Sequence, residues 1–146
     1  MPEQARLPEA TKVPAVRLLQ FPIIRQPRGS LCYGQYDEHI PFVPIRYFIV
    51  FDVPAEEVRG NHAHRHASQA LVCVKGSCAI TIDDGRNRDR VVLDSPDVGV
   101  YIPPLVWATQ QKFSSEAVLL VLSSEGYDPD EYIRDYDEFI RLVEQR

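Results

Sequence analysis

Nowhere in this 146-residue chain does an apolar run reach the roughly 20 residues needed to cross a bilayer as a helix. The opening MPEQARLPEATKVPAV also has none of the apolar core of a secretory signal. A cytoplasmic protein with no membrane partner is the expectation. Lys and Arg never gather into a block able to track a phosphate backbone, and the net charge is −5 with a pI near 5.3. No nucleic-acid partner is therefore expected. Cysteine is scarce as well: Cys32, Cys73 and Cys78 form an odd set without CxxC spacing, two of them inside apolar, strand-like text. They read as free buried thiols rather than as a disulfide framework or redox centre. Internal repeats, linkers and a second domain are all missing.

What is present suits one globular domain. The hydrophobic fraction of 45% and charged fraction of 25% exclude a disordered composition. A chain of this length can bury about 70% of its unfolded surface. Residues 1–15 are polar and contain proline, and read as a flexible N-terminal arm; residues 16–146 read as a single domain. From Val16 the text becomes short apolar runs, VRLLQF, SLCYGQY, IRYFIVFDV, QALVCVKGSCAITIDDG, DRVVLD, VGVYIPP and AVLLVLSSE. Their β-branched and aromatic content and their punctuation by Gly, Pro and Asp-Gly predict strands. Lys75-Gly76-Ser77 predicts a turn folding two of these strands into a hairpin. Only DPDEYIRDYDEFIRLVEQR changes period, with Ile133, Tyr136, Ile140 and Val143 on one helical face, and Asp128, Asp130 and Glu131 suit the positive end of its dipole. The fold class is all-β, a sandwich or small ligand-holding barrel, closed by one C-terminal α-helix.

Chemistry concentrates in Arg59-Gly60-Asn61-His62-Ala63-His64-Arg65-His66, which holds three of the four histidines. On an extended strand His62, His64 and His66 would share one face. An HxH pair serves either as metal ligands or as a proton-transferring pair titrating near neutrality. In metal-binding cupins the pair is followed by an acid, a glycine turn and a distant histidine. Here Gln69 stands where the acid would be, and Ala108 follows Trp107 where the distant histidine would be. His66 or His39 would have to complete a metal site from unexpected positions. Acid–base work at a carbon next to a carbonyl, without a metal or other cofactor, fits these residues better.

Arg46 interrupts an apolar strand and is a candidate for holding a phosphate through its planar fork, as is Arg59, three residues before His62. Arg28 is equally well read as a turn residue. Tyr47, Tyr101 and Trp107 are candidates for stacking on a base or sugar ring, Trp107 foremost because it adjoins Pro103-Pro104. Gln69 reads as a polar lining residue that orients a histidine or a sugar hydroxyl.

The strings RGNHAHRHASQALVCVKGSCAITIDDG, VYIPPLVWATQQKFSSEAVLLVLSSEGYD and EYIRDYDEFI resemble the nucleotide-sugar 3,4-ketoisomerases, from about Arg28 to Phe139. The resemblance implies a cupin-type jelly-roll β-barrel with one C-terminal α-helix, assembled as a homodimer with exchanged N-terminal strands. It implies a dTDP-linked 4-keto-6-deoxyhexose as substrate, in the biosynthesis of 3-amino-3,6-dideoxyhexoses. His62 and His64 would move a proton between C3 and C4 of the sugar through an enediol in a metal-free site, with Arg59 and Arg46 as substrate contacts. Ala108 and His66 depart from the pattern. The rival readings are a nucleotide-sugar 3,5-epimerase, a metal-dependent cupin and a non-catalytic sugar-nucleotide-binding cupin.

Overall fold

The structure, a computed structural model, describes residues 10–146 and, ahead of them, the backbone of the strand Glu3–Gln4. In chain order the strands are β1 (Glu3–Gln4), β2 (Arg17–Gln20), β3 (Pro22–Gln26), β4 (Gly29–Cys32), β5 (Arg46–Phe51), β6 (Arg59–His64) and β7 (Gln69–Lys75). They continue as β8 (Cys78–Asp83), β9 (Arg88–Leu93), β10 (Val98–Ile102), β11 (Trp107–Gln111), β12 (Val118–Ser123) and β13 (Tyr132–Ile133), before the helix α1 (Tyr136–Glu144).

Two five-stranded sheets face each other, ordered β2-β10-β7-β12-β5 and β13-β6-β11-β8-β9, and a small sheet β1-β3-β4 lies beside them. Every named ladder is antiparallel. The all-β class and the single C-terminal helix agree with the sequence; the barrel takes the form of two opposed sheets that do not close into one continuous ladder among the described residues. Strand alternation sends Leu71, Cys73, Ile80, Ile82, Val100, Leu119 and Val121 into a common core between the sheets. A second apolar cluster, with Phe21, Ile40, Ala70 and Val72, covers the outer side of the first sheet. A third, with Ala63, Trp107, Ile133, Phe139 and Val143, seats α1 on the outer side of the second.

The hairpin expected at Lys75-Gly76-Ser77 does not form. Strand β7 pairs with β10 and β12, while β8 pairs with β11 and β9, so the turn carries the chain from one sheet to the other. The physical reason is that both strands bury both faces, which a two-stranded ribbon cannot satisfy. Gly76 turns this corner at φ +69°, packed against Ser114 and Ala117. Ser77 and Ser114 bond across it: each donates its N–H, to the Ser114 hydroxyl and the Ser77 carbonyl, at 2.9 Å. Strand β3 also escaped the sequence signals. The Asp83-Asp84-Gly85 turn does close a hairpin, β8 to β9.

The helix is shorter than the periodicity implied. A 3-10 turn (Pro129–Glu131) and β13 precede it, and Asp135 caps α1 by accepting from the N–H groups of Asp137 and Glu138. Ile133 therefore belongs to a strand paired with Ala63 of β6. The arm expected over residues 1–15 falls largely outside the described residues. In its described part Val13 is fully buried, and the Lys12 N–H donates to Asp89 Oδ2 at 2.8 Å. Cys73 and Cys78 are buried and Cys32 is half-buried, all three as free thiols.

Candidate active site

Strand β6 has two different faces. Ala63 points toward α1 and is fully buried against Trp107, Ile133 and Phe139. His62 and His64 therefore point the other way, into the space between the sheets. Their rings meet edge to face with centroids 5.0 Å apart. Tyr132 of β13, the register partner of His64, packs against both rings at 4.8 and 4.7 Å. Arg134 completes this wall, its guanidinium carbon 4.5 Å from the Tyr132 ring centroid.

The opposite sheet supplies a polar row at the same end. Arg46, Ser123 and Gln69 are successive register partners across β5, β12 and β7. Alternation puts Arg46 on the inward face with Phe48 and Val50, and Gln69 on that of Leu71 and Cys73. The Arg46 guanidinium lies over Phe48 and Tyr127, 4.9 and 5.3 Å from their ring centroids. Gln69 is buried.

Both imidazoles are held neutral. Burial lowers His62 below its ordinary value; the Gly60 carbonyl, 2.9 Å from Nδ1, works against that, and Arg134 reinforces it. Burial, the His62 ring and the cations Arg46 and Arg134 push His64 down to about 4, against the opposing attraction of Glu131. His64 is only 7% exposed, and neither ring nitrogen has a hydrogen-bond partner among the described residues. Leaving a buried polar group unpaired costs roughly 1–3 kcal/mol. A ligand that offers a hydroxyl or carbonyl to that ring would recover it.

Three residues singled out in the sequence lie elsewhere. Trp107 is 6% exposed on the helix side of the sheet, wedged against Tyr136 and Phe139, with Nε1 donating to Asn61 Oδ1 at 3.3 Å. It is a core residue and does not reach the histidines. Tyr47 is 66% exposed on the outer face of β5, opposite in direction to Arg46. His66 does not share a face with His62 and His64, because β6 ends at His64. The chain bends there around Glu131, whose carboxylate accepts from the N–H groups of His66 and Ala67 and pairs with the His66 ring at 3.1 Å. Burial would raise the Glu131 carboxyl, but these bonds hold it below its ordinary value. His39 sits apart, its Nδ1 accepting from the Gln35 N–H. Among the described residues no group of three or more His, Cys, Asp or Glu side chains is placed to hold a metal ion. Arg59 opens β6, exposed, paired in register with Gln110. Tyr101 donates to or accepts from the Ser68 hydroxyl at 3.2 Å.

Tyr132 and Arg134 were not singled out from the sequence. The signal that finds them is the cap at Asp135, with Glu138 three residues on, which places the helix start beyond them.

Two opposed sheets around an inward histidine pair define a cupin-like all-β protein. The family described as "FdtA: WxcM-like, C-terminal" matches residues 14–144, and the chain belongs to that family. A curated relative, the TDP-4-oxo-6-deoxy-alpha-D-glucose-3,4-oxoisomerase of Aneurinibacillus thermoaerophilus, is 42% identical over 127 residues, 87% of this chain and 91% of that one. The solved 3,4-ketoisomerase of Helicobacter canadensis superposes with a TM-score of 0.86 at 39% identity, covering 89% of this chain and 98% of that one. QdtA, a sugar 3,4-ketoisomerase of Thermoanaerobacterium thermosaccharolyticum in complex with TDP, gives 0.89 at 36% identity, covering 92% and 98%.

Proposed function

We propose that this chain is an isomerase that converts TDP-4-keto-6-deoxyglucose to the 3-keto-6-deoxyhexose, with His62 and His64 moving the proton. The observation that carries the reading is His64: a neutral, deeply buried ring with both nitrogens unpartnered among the described residues, beside a second neutral histidine. The names of relatives at 36 to 42% identity support the same substrate and reaction.

A neutral imidazole offers one lone pair and one N–H. One of the pair removes the C3 proton, which lies next to the C4 ketone, and the C4 oxygen takes up a proton to give the enediol. Return of a proton to C4 and loss of the O3 proton then leave the ketone at C3. Atoms and electrons balance without a redox cofactor, and we assign the reaction no metal. Arg46 and Gln69, on the inward face of the opposite sheet, are assigned to the sugar, and the exposed guanidinium of Arg59, at the head of β6, to the diphosphate; the planar fork of an arginine supports that assignment. The decisive experiment incubates chelator-treated protein with TDP-4-keto-6-deoxyglucose in deuterated buffer and follows it by proton NMR. The expected result is a new 3-keto sugar with deuterium at C4. Deuterium at C3 and C5 with the ketone still at C4 would show an epimerase instead and overturn the reading.

We further propose a cytoplasmic homodimer with exchanged N-terminal strands. The dimer is supported by the β5 end of the first sheet's outer face, where apolar side chains stay exposed beside the part that the second apolar cluster covers. Tyr47, Ile49 and Phe51 project outward from the edge strand β5, and Ile49, Leu120 and Val72 form one register row across three strands. An exposed, apolar sheet edge of this kind is normally covered. Light scattering should give twice the chain mass of 16.7 kDa, and Ile49→Glu should shift it to the monomer. A wild-type monomer at all concentrations would refute the assembly.

A further inference from the structure

Strand β6 is irregular immediately before its first histidine. Gly60 has φ +78° and Asn61 φ +59°, two consecutive left-handed residues within one strand. Opposite them the ladder with β11 shifts register between Ala108 and Thr109. Such bulges re-aim side chains; asparagine enters the left-handed region more readily than other non-glycine residues and stays there where its surroundings dictate it.

The surroundings here do so. The kink turns the Gly60 carbonyl back onto the ring two residues later, 2.9 Å from His62 Nδ1. A carbonyl oxygen only accepts, so Nδ1 carries the hydrogen and Nε2 of the neutral ring keeps the lone pair. Asn61 projects to the other face of the sheet, where Oδ1 accepts from Trp107 Nε1 at 3.3 Å. Trp107 is itself fixed by Tyr136 and Phe139, with ring centroids 5.2 and 5.6 Å away. A Cβ at Gly60 would stand 3.2 Å from the Ala108 carbonyl, so glycine suits this place in both conformation and space.

We propose that Asn61 is a positioning residue: its left-handed backbone, latched by Trp107, aims His62 and fixes the Nδ1–H tautomer, leaving Nε2 to take the substrate proton. The catalytic part rests on the proton-transfer role of His62; the tautomer does not, and is measured without substrate. Asn61→Val removes the acceptor and, being β-branched, resists positive φ. Asn61→Gly keeps the backbone conformation.

The test is long-range 1H–15N correlation of the His62 ring in histidine-labelled protein at neutral pH, alongside kcat and KM against pH. Wild type and Asn61→Gly should show a protonated Nδ1 and bare Nε2. Asn61→Val should populate the Nε2–H form and lose at least tenfold in kcat with little change in KM. Asn61→Ala, which lacks the acceptor and disfavours positive φ without β-branching, carries the same test if Asn61→Val does not fold. A wild-type ring protonated on Nε2, or an Asn61→Val ring indistinguishable from wild type, overturns the proposal. A tautomer that behaves as stated while His62→Asn keeps full turnover would leave the positioning device intact and sink the catalytic reading instead.

Discussion

Replacing His64 with Asn should lower kcat for the 4-keto sugar by roughly 10²–10⁴-fold, the usual loss when a positioned acid–base group is removed, and should leave substrate affinity within a few-fold of wild type. The amide fills much of the ring's volume and still hydrogen-bonds, but cannot exchange a proton near neutrality. His62→Asn should fall in the same range if, as proposed, the two rings, 5.0 Å apart, share the proton transfer. Turnover by NMR and binding of the nucleotide sugar by calorimetry separate the two effects. Wild-type turnover in both variants would remove the histidines from the chemistry. The same substitution has a signature in stability. An unfolded histidine titrates near 6.5, whereas His64 in the folded chain is held down to about 4. Between those values the unfolded chain binds the extra proton, so the contribution is whole above pH 6.5 and is lost as pH falls toward 4. The loss is about 3 kcal/mol in all. Urea midpoints taken at pH 7.5 and pH 4.5 should differ less in His64→Asn than in wild type.

The shared face of His62 and His64 was legible from strand alternation, while that of Arg46 and Gln69 emerges only with the register. Period-two alternation brings His62, His64, Arg46 and Gln69 to one end of the space between the sheets, because β5, β6 and β7 keep that alternation where these residues stand. Aromatic residues were not legible in the same way. Trp107 and Tyr47 have ring faces suited to stacking, but residue type does not say which side of a sheet a residue faces. Trp107 went to the core beside Phe139, and Tyr47 to the outer surface. Tyr132 was hidden for another reason. The apolar spacing of Ile133, Tyr136, Ile140 and Val143 suits a longer helix, and only the cap at Asp135 shows that Tyr132 and Ile133 lie outside it. The corner at Gly76 misled because a hairpin turn and a crossover between sheets use the same turn residues. What tells them apart is that β7 and β8 are apolar on both faces.

Removing the Phe139 ring should be the most destabilising change on the helix side, about 3–5 kcal/mol for Phe139→Ala. Phe139 is the largest fully buried side chain and fills the space between α1 and the second sheet, against Trp107 at 5.6 Å and Tyr136 at 5.7 Å. Little can collapse into the gap. Val143 and Gly85 already pack closely on the far side, where a Cβ on Gly85 would meet Val143 at 2.6 Å. The cavity would open directly behind Ala63, the residue between the two histidines, and beside Ile133, which pairs with Ala63 in β13. Stability and catalysis should therefore fall together, with kcat reduced more than the folded fraction explains, because β6 loses the support that aims His62 and His64. Phe139→Leu, which keeps much of the volume, should retain most of both. Denaturant midpoints and kcat measured on the same preparations settle the matter. A cost below about 1 kcal/mol for Phe139→Ala would mean that α1 is dispensable packing rather than the back wall of the site.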